Sequence, residues 1–368
     1  MIPNSLLQVD SPALLVDRGR MLENIHAMAQ TMKGQGVDLR PHFKTSKMIE
    51  VAQLQLGAGA VGLTCSTWAE ASALIDSGCD DIFWANSTAT ATKARLAAAA
   101  NRRATVAVGL DSPELGSLLS EAALREGSTV PVLLEIDTGL RRTGIFPEEA
   151  GRVADAIGAL PGIELIGVYM HEGQLASLKT SRDKIRLEGR KAAAVLVGVA
   201  ADLGKRGHNM SRVSVGSTPG WDSAPLVDGV TEARPGTYVF FDANQVRLSS
   251  TEVNNCALTV LSSVVSCHHP GQATVDAGTK AMSSDRSNRD DSLGLPIDIR
   301  TQQPLEATFR RAYEEHGIIE GPITESLSVA DRVRIIPNHA CGVVNMWSEV
   351  HVVDGDDVTE IWKTVGRH

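Results

Sequence analysis

The chain has 368 residues, of which 43% are hydrophobic and 21% charged, so it is long enough for two globular domains and too apolar to be disordered. A formal net charge of -9 at pH 7 argues against nucleic acid or an anionic membrane as a partner, because both would meet a repulsive field. Residues 1–10 have neither a basic start nor an apolar run of secretory length, and the five cysteines are irregularly spaced. We therefore expect a cytoplasmic protein with reduced thiols.

Short β-branched runs alternate with longer amphipathic segments between residues 39 and 241. This alternation predicts βαβ units and a parallel sheet. Thr67, with Glu70 three residues later, predicts the start of one of the intervening helices. The eight predicted strands are Leu39 to Phe43, Val61 to Cys65, Ile82 to Ala85, Thr105 to Leu110, Val130 to Ile136, Ile163 to Tyr169, Arg212 to Val215 and Tyr238 to Phe241.

Eight strands with intervening helices are what a closed (β/α)8 barrel of the TIM type requires. An open doubly wound sheet is the main rival, and the lack of a glycine-rich fingerprint after the first strand counts against it. Later β-rich runs without helical connectors, among them Cys341 to Asn345, predict a second, smaller β domain. We expect the α/β barrel in residues 1–245 and the β domain in 246–368, on which residues 1–12 could also pack. The polar segment 283–298 predicts an exposed loop.

Polar residues follow several predicted strands at their carboxyl ends, where a parallel barrel holds its catalytic groups. Lys44 ends the first strand and could form a Schiff base with an aldehyde cofactor, whereas Lys47 is assigned to the protein surface. The arginine pair 141–142 follows the fifth strand and could hold a phenolate or carboxylate. Tyr169 and His171 end the sixth strand. Each would be a structural or solvated residue in isolation, and their shared location favours a site.

The turn from Gly216 to Pro219 follows the seventh predicted strand, where barrels commonly bind phosphate. Its backbone N–H groups could form an anion nest, to which Ser217 and Thr218 add hydroxyl donors. The segment from Arg234 to Tyr238 could complete this cradle.

In the predicted β domain, His339 and Cys341 are two residues apart and would share one face of a strand. Imidazole and thiolate are good zinc ligands. Two protein ligands leave positions for water and substrate, which is typical of a catalytic rather than a structural metal site.

Taken together, these motifs resemble the fold-type III pyridoxal phosphate enzymes of the D-threonine aldolase and eukaryotic-type D-serine dehydratase family. This resemblance implies an alanine racemase-like barrel, a small D-amino acid substrate and a homodimer in which the β domain of one subunit borders the barrel mouth of the other. Ser46 departs from the histidine that the family more often has there. The resemblance runs nearly end to end, through residues 10–17, 40–47, 135–144, 169–173, 216–219, 276–280, 315–317 and 337–345.

The resemblance also implies a role for each candidate residue. Lys44 would hold pyridoxal phosphate as a Schiff base, Arg142 would hydrogen-bond the ring oxygen, and the other residues would border the ring or the phosphate. His339 and Cys341 match the family's pair of ligands for a divalent metal, with zinc the expected ion. The residues expected at the cofactor are Lys44, Arg142, Tyr169, His171, Gly216, Ser217, Thr218, Gly236 and Tyr238.

The sequence thus predicts a metal-dependent lyase that eliminates water from D-3-hydroxy amino acids such as D-serine, giving a 2-oxo acid and ammonia. Cys341 favours this reaction, because aldolase members of the family typically have an aspartate at that position. Retro-aldol cleavage to glycine and an aldehyde is the first alternative, since it needs the same groups. A non-catalytic pyridoxal phosphate carrier is a second, against which the metal pair counts. Racemisation is a third, and it lacks a candidate for its second base.

Overall fold

A computed structural model describes residues 5–287 and 289–367 of the chain, which divides into two compact units. Within these residues no helix is long and apolar enough to cross a membrane. The barrel unit comprises Met28–Lys44, Val51–Gly236 and the segment that begins at Val365. The sheet unit comprises the chain up to Ala27, Thr45–Glu50 and Thr237–Thr364.

The first two thirds of the chain alternate strands with helices. The strands are β1 (Ala13–Asp17), β2 (Asp38–Leu39), β3 (Leu63–Cys65), β4 (Asp81–Trp84), β5 (Thr105–Leu110), β6 (Val130–Glu135), β7 (Ile163–Tyr169), β8 (Arg212–Val215) and β9 (Glu232–Ala233). The helices are α1 (Arg18–Gln35), α2 (Ile49–Gly57), α3 (Trp68–Asp76), α4 (Ala91–Ala100), α5 (Pro113–Glu126), α6 (Ala150–Gly158), α7 (Arg182–Lys205) and α8 (Ala243–Arg247).

Strands β2 to β9 form one parallel sheet in the order β2-β9-β8-β7-β6-β5-β4-β3. Its two ends are joined by backbone hydrogen bonds, because the N–H of Val61 donates to the carbonyl of Leu39 and the N–H of Phe43 donates to that of Thr64. The predicted closed barrel is therefore confirmed over the open sheet. The predicted N-cap of α3 is also confirmed, since the Thr67 hydroxyl accepts from the N–H of Glu70 at 3.2 Å.

The eighth predicted strand is wrong. Thr237–Val239 forms a 3-10 helix in the sheet unit, and the strand that completes the barrel is β9. This strand is only two residues long, and Glu232 in it is charged and buried, because its carboxylate accepts from the Arg40 guanidinium at 2.7 Å. Neither the short length of β9 nor its charged residue is typical of the apolar runs that predict strands. The apolar residues that follow, Tyr238 to Phe241, are buried in the sheet unit instead.

The sheet unit also contains the elements β10 (Leu258–Ser266), β11 (Gln272–Val275), α9 (Thr279–Met282), β12 (Gly294–Asp298), β13 (Thr308–Ala312), β14 (Gly317–Glu320), β15 (Arg332–Pro337), α10 (Ala340–Met346), β16 (Glu349–Asp354) and β17 (Asp357–Lys363). Strand β1 lies between β10, to which it is antiparallel, and β16, to which it is parallel. The predicted β-rich C-terminal part is confirmed. The strands of this unit form a mixed sheet in the order β13-β14-β11-β10-β1-β16-β17, with β15 pairing with β10 and β12.

Two local expectations in this unit are wrong. The predicted strand from Cys341 to Asn345 is the helix α10, so His339 and Cys341 stand at a helix start and not on one face of a strand. The segment 283–298, of which residue 288 lies outside the described residues, is only partly exposed and contains β12. Ser292 in this segment is buried. The Ser292 hydroxyl accepts a hydrogen bond from Arg247, and the Ser292 carbonyl accepts one from Asn338.

Candidate active site

A cavity of about 270 Å³ lies within the barrel unit, among residues that end or follow the strands of the barrel. Five of the predicted cofactor residues line it, and they come from four different strand ends. These five are Lys44, Arg142, Tyr169, His171 and Gly216. The barrel therefore brings together groups that are up to 172 residues apart in sequence, between Lys44 and Gly216.

Seven further residues line the same cavity, and only Arg234 among them was anticipated, as the start of the segment expected to complete the phosphate cradle. Ser66 follows β3 and Asn86 follows β4, so the strand-end argument that found Lys44 could have found them too. Arg234 follows β9, which carries no strand signal in the sequence. The seven are His42, Ser66, Ala85, Asn86, Glu135, Thr143 and Arg234.

Arg234 provides a fixed buried cation in the cavity wall. Its guanidinium donates to the Ser214 hydroxyl and to the Met170 carbonyl, and its central carbon lies 5.3 Å from the Tyr169 ring centroid and 5.4 Å from that of Phe83. Both distances are within the range of cation–π attraction. Burial lowers the pKa of Arg234, and the nearby carboxylate of Glu232 opposes this effect.

Two partly buried histidines face the cavity in their neutral form. The Nδ1–H of His171 donates to the Gly216 carbonyl at 2.9 Å, which leaves Nε2 without a hydrogen. Burial, followed by the positive charges of Lys44 and Arg142, lowers the pKa of His171 to about 3. The Nδ1 of His42 accepts from the backbone N–H of Lys44 at 3.4 Å, and burial holds its pKa well below the ordinary value as well.

Glu135 and Tyr169 form a hydrogen-bonded pair at the end of β6 and β7. The Tyr169 hydroxyl donates to Glu135 Oε2 at 3.0 Å, and the Thr143 hydroxyl donates to Oε1 at 2.9 Å. Burial and the Glu135 charge raise the pKa of Tyr169 well above its ordinary value, so the phenol stays protonated. Gly109 lies directly against this phenol, since a Cβ there would be 2.2 Å from the Tyr169 oxygen.

Glu172 accepts hydrogen bonds from two residues of the turn that follows β8. The Ser217 hydroxyl donates to Glu172 Oε1 at 2.8 Å, and the N–H of Gly216 donates to Oε2 at 3.2 Å. Of this turn, Gly216 lines the cavity, while Ser217 and Thr218 are buried beside it. Gly236 ends the main segment of the barrel unit, and Tyr238 is buried in the sheet unit. The phosphate contacts of Ser217, Thr218, Gly236 and Tyr238 stay predictions.

The candidate metal pair belongs to the sheet unit. His339 directly precedes α10, and Cys341 is in its first turn. The Cys341 sulfur is hydrogen-bonded to the Thr45 hydroxyl at 3.1 Å, and His339 Nδ1 lies 3.5 Å from the Asp242 carboxylate. The Cys341 thiolate, with Asp242, raises the pKa of His339 well above its ordinary value.

The sulfur and nitrogen donors of this pair fit zinc. In the part of the chain that the structure describes, no group of three or more His, Cys, Asp or Glu side chains is placed to hold a metal ion. The pair therefore supplies only part of the ligand set of a zinc ion, and other ligands would complete it.

The cavity suits an anionic aldehyde such as pyridoxal phosphate. Lys44, Arg142 and Arg234 bring three cationic groups to one cavity, and their charges help to keep His42 and His171 neutral. Lys44 is the primary amine among them and can form the Schiff base. The residues present thus fit this cofactor.

Two family models match the chain. Residues 16–244 match the model described as "Alanine racemase, N-terminal domain", and residues 257–353 match that of a "Putative serine dehydratase domain". The first match covers the strands that form the barrel, and the second covers most of the C-terminal sheet.

Characterised proteins resemble the chain over almost its full length. D-threo-3-hydroxyaspartate dehydratase of Delftia sp. (strain HT23) is 34% identical over 98% of both chains, and its solved structure has a TM-score of 0.90. A variant of that dehydratase has been solved in a metal-free form. D-serine dehydratase of Dictyostelium discoideum is 27% identical over 95% of this chain and 94% of its own.

A solved D-threonine aldolase from Filomicrobium marinum is 28% identical, with a TM-score of 0.90 over 100% of this chain and 98% of its own. Dehydratases and aldolases thus share this fold. The chain belongs to the family of fold-type III, pyridoxal phosphate-dependent lyases that includes these dehydratases and aldolases.

Proposed function

We propose that the protein is a pyridoxal phosphate- and metal-dependent dehydratase of D-3-hydroxy amino acids, which it converts to a 2-oxo acid and ammonia. One observation carries the proposal: a single barrel cavity joins Lys44 to a cationic, histidine-bearing wall, while the chain also holds a histidine and a cysteine suited to zinc. The match of residues 257–353 to a serine dehydratase domain counts against a carrier that consists of the barrel alone.

The side chains of the cavity supply binding and proton transfer. When bound, pyridoxal phosphate supplies an electron sink for the bond that breaks at Cα of an amino acid. Lys44 takes the Cα proton onto its amine. His42 and His171 do not compete for this proton at neutral pH, because burial lowers both of their pKa values. Arg234 keeps a positive charge in the wall throughout.

A metal ion on the pair would assist reactions of the substrate's β-hydroxyl, but it would not select between them. A zinc ion on His339 and Cys341 would supply a Lewis acid for the β-hydroxyl of the substrate. Lewis acidity assists both loss of that oxygen as hydroxide and its deprotonation before retro-aldol cleavage. The choice between the two reactions therefore depends on which bond at Cα breaks, and a lysine base beside the Cα proton favours dehydration.

Two observations support the dehydratase over the aldolase. The relative at 34% identity is a dehydratase, whereas the solved aldolase is 28% identical. The family resemblance implies the second, because its aldolase members typically have an aspartate at the position of Cys341. The aldolase remains the second candidate, because its structure matches the chain as closely in TM-score as that of the dehydratase does.

Substrates labelled with deuterium at Cα test the proposal. D-serine, D-threonine and D-threo-3-hydroxyaspartate are incubated with the holoenzyme, with their L-enantiomers as controls. We expect at least one D-substrate to release its deuterium to solvent and to yield ammonia and oxo acid in equal amounts. Glycine that retains the deuterium, formed with an aldehyde and without ammonia, would establish the aldolase reaction instead.

We also propose that the enzyme is a homodimer, as the family resemblance implies, and that it is cytoplasmic. All five cysteines lie in the described residues and none forms a disulfide, which fits a reducing compartment. Analytical ultracentrifugation of the holoenzyme should give a mass near twice that of the 39.1 kDa chain. A single species of 39.1 kDa would contradict the dimer.

A further inference from the structure

Glu172 is a fully buried carboxylate that the proposed reaction does not use. It follows His171 directly after β7, only 1% of its surface is exposed, and it is not part of the cavity lining formed by the described residues. Its two oxygens accept from the Ser217 hydroxyl at 2.8 Å and from the N–H of Gly216 at 3.2 Å. An unpaired carboxylate in such a place would be costly, so these two donors account for its position.

Consecutive residues hold both backbone polar groups of Gly216. The His171 ring donates to the Gly216 carbonyl at 2.9 Å, while the Glu172 carboxylate accepts from its N–H. The third side is filled by Arg234, because a Cβ on Gly216 would lie 2.7 Å from its guanidinium. Gly216, the residue of the turn that lines the cavity, is thus held by His171 and Glu172 and packed against Arg234.

Glu172 also sets the far end of the turn. A Cβ on Gly220 would lie 2.7 Å from Glu172 Oε1, so the backbone there passes close to the carboxylate. The N–H of Gly220 donates to the Ser217 hydroxyl, which itself donates to Glu172. One carboxylate therefore connects Gly216, Ser217 and Gly220, the first, second and fifth residues of the turn.

We propose that Glu172 is the positioning residue of the phosphate turn, and that it fixes residues 216–220 in the shape that receives the phosphate of pyridoxal phosphate. It acts from behind the turn and does not touch the cofactor. Ser217, which the sequence predicts as a donor to the phosphate, instead helps to hold the turn, because its hydroxyl donates to Glu172. The proposal rests on the assignment of the barrel cavity as the cofactor site.

The test compares pyridoxal phosphate with pyridoxal, which lacks the phosphate. The dissociation constant of each is measured by titrating its visible absorbance on the apoenzyme. Glu172→Gln keeps the size of the side chain but turns one acceptor into a donor that faces an N–H or O–H. We expect the affinity for pyridoxal phosphate to fall by about tenfold, the effect of one hydrogen bond to a charged group, and the affinity for pyridoxal to stay within about twofold.

Ser217→Ala tests whether the Ser217 hydroxyl acts through Glu172 or contacts the phosphate directly. If Ser217 acts through Glu172, the double variant binds pyridoxal phosphate no more weakly than Glu172→Gln alone, because the two changes remove one shared interaction. If Ser217 contacts the phosphate directly, the two losses multiply, and the proposed relay is wrong.

Asp276→Asn is the matched control, since Asp276 in the sheet unit likewise accepts from a serine hydroxyl, that of Ser262 at 2.7 Å, and from a backbone N–H, that of Ser263 at 2.9 Å. It should lower thermal stability and leave the ratio of the two dissociation constants unchanged. An unchanged ratio in Glu172→Gln, or tighter binding of pyridoxal phosphate, would overturn the proposal. Failure of the wild type to form a visible band with either compound would instead disprove the cofactor site itself.

Discussion

The candidate cofactor site and the candidate metal site differ in how completely a single folded unit builds them. The cofactor cavity takes residues from seven strand ends of the barrel unit, and its buried polar groups bond to one another. The metal pair consists of two side chains at the start of α10, with the His339 side chain 45% exposed. The first site is preorganised by the barrel, whereas the second is a partial ligand set. We therefore expect cofactor binding to survive treatments that remove the metal.

Replacing Lys44 should give the largest effect. Lys44→Ala removes the amine that forms the Schiff base and takes the Cα proton, so turnover should fall by about a thousandfold or more. The visible band of the bound cofactor should disappear from the absorbance spectrum. Lys47→Met is the control. The Lys47 side chain is buried, whereas its sequence context predicts a position on the surface. A band that persists in Lys44→Ala and vanishes in Lys47→Met would exchange the two assignments.

Removing the metal should affect turnover and spare the cofactor. Chelation, or His339→Ala, should lower turnover by about a hundredfold or more, since a Lewis acid contributes several kcal/mol. The visible band should remain, and added zinc should restore the chelated wild type but not the variant. Full activity in a demonstrably metal-free preparation would contradict this role.

Exchanging the thiolate sharpens the same comparison. Cys341→Asp replaces a soft ligand by a hard one, so the metal preference should move from zinc towards manganese or magnesium. Metal content by mass spectrometry and activity with each ion measure the change. Unaltered zinc dependence would mean that Cys341 is not a ligand.

Crowding the cavity wall should have a smaller effect, on stability. Gly109→Ala would place a Cβ 2.2 Å from the Tyr169 oxygen, and overpacking of this kind costs about 1–3 kcal/mol. The free energy of unfolding of the holoenzyme, measured in urea, should fall by that amount. Gly198→Ala in α7 is the control, because its Cβ would meet nothing within 4 Å, and it should be neutral or slightly stabilising. Equal changes in the free energy of unfolding for the two variants would show that the cavity wall relaxes around the added methyl group.

The smallest expected effect is a pH dependence. His171 has its pKa lowered to about 3 in the folded protein, against 6.5 as the ordinary value. The unfolded chain therefore binds this proton first, so the stability is fully present above pH 6.5 and is lost as the pH falls below it. Each such histidine contributes a slope of up to about 1.4 kcal/mol per pH unit.

His171→Gln should make that slope shallower between pH 6.5 and 5, because the amide can still donate to the Gly216 carbonyl but does not titrate. Urea unfolding at several pH values measures the slope. The matched substitution is His26→Gln, at an exposed position of α1. An identical slope in wild type and His171→Gln would mean that the ring does not stay neutral in the folded protein.

The barrel strands could be predicted because most of them are apolar runs between long helices. Thr105–Leu110, Ile163–Tyr169 and Arg212–Val215 have the predicted bounds. β9 could not be predicted, because two residues carry no periodicity and Glu232 depends on Arg40, almost 200 residues away.

The candidate site follows the same division. Lys44 and His171 were found from strands that the sequence reveals, whereas β9 was missed and Arg234, which follows it, was anticipated only as the start of a phosphate-binding segment. Around Cys341, the short run with two valines fits a strand as well as one turn of buried helix, and periodicity cannot separate these over so few residues. Contacts made only in the folded chain decide such cases.

The position of β1 has a consequence for how the chain is made. Residues 13–17 pair with residues near 260 and 352, so this strand leaves the ribosome long before either neighbour exists. At about 5–20 residues per second, the first partner follows on the order of ten seconds or more later. All eight barrel strands are synthesised in that interval. The barrel can therefore assemble first, while an apolar segment of the nascent chain remains unpaired and is a natural target for chaperones.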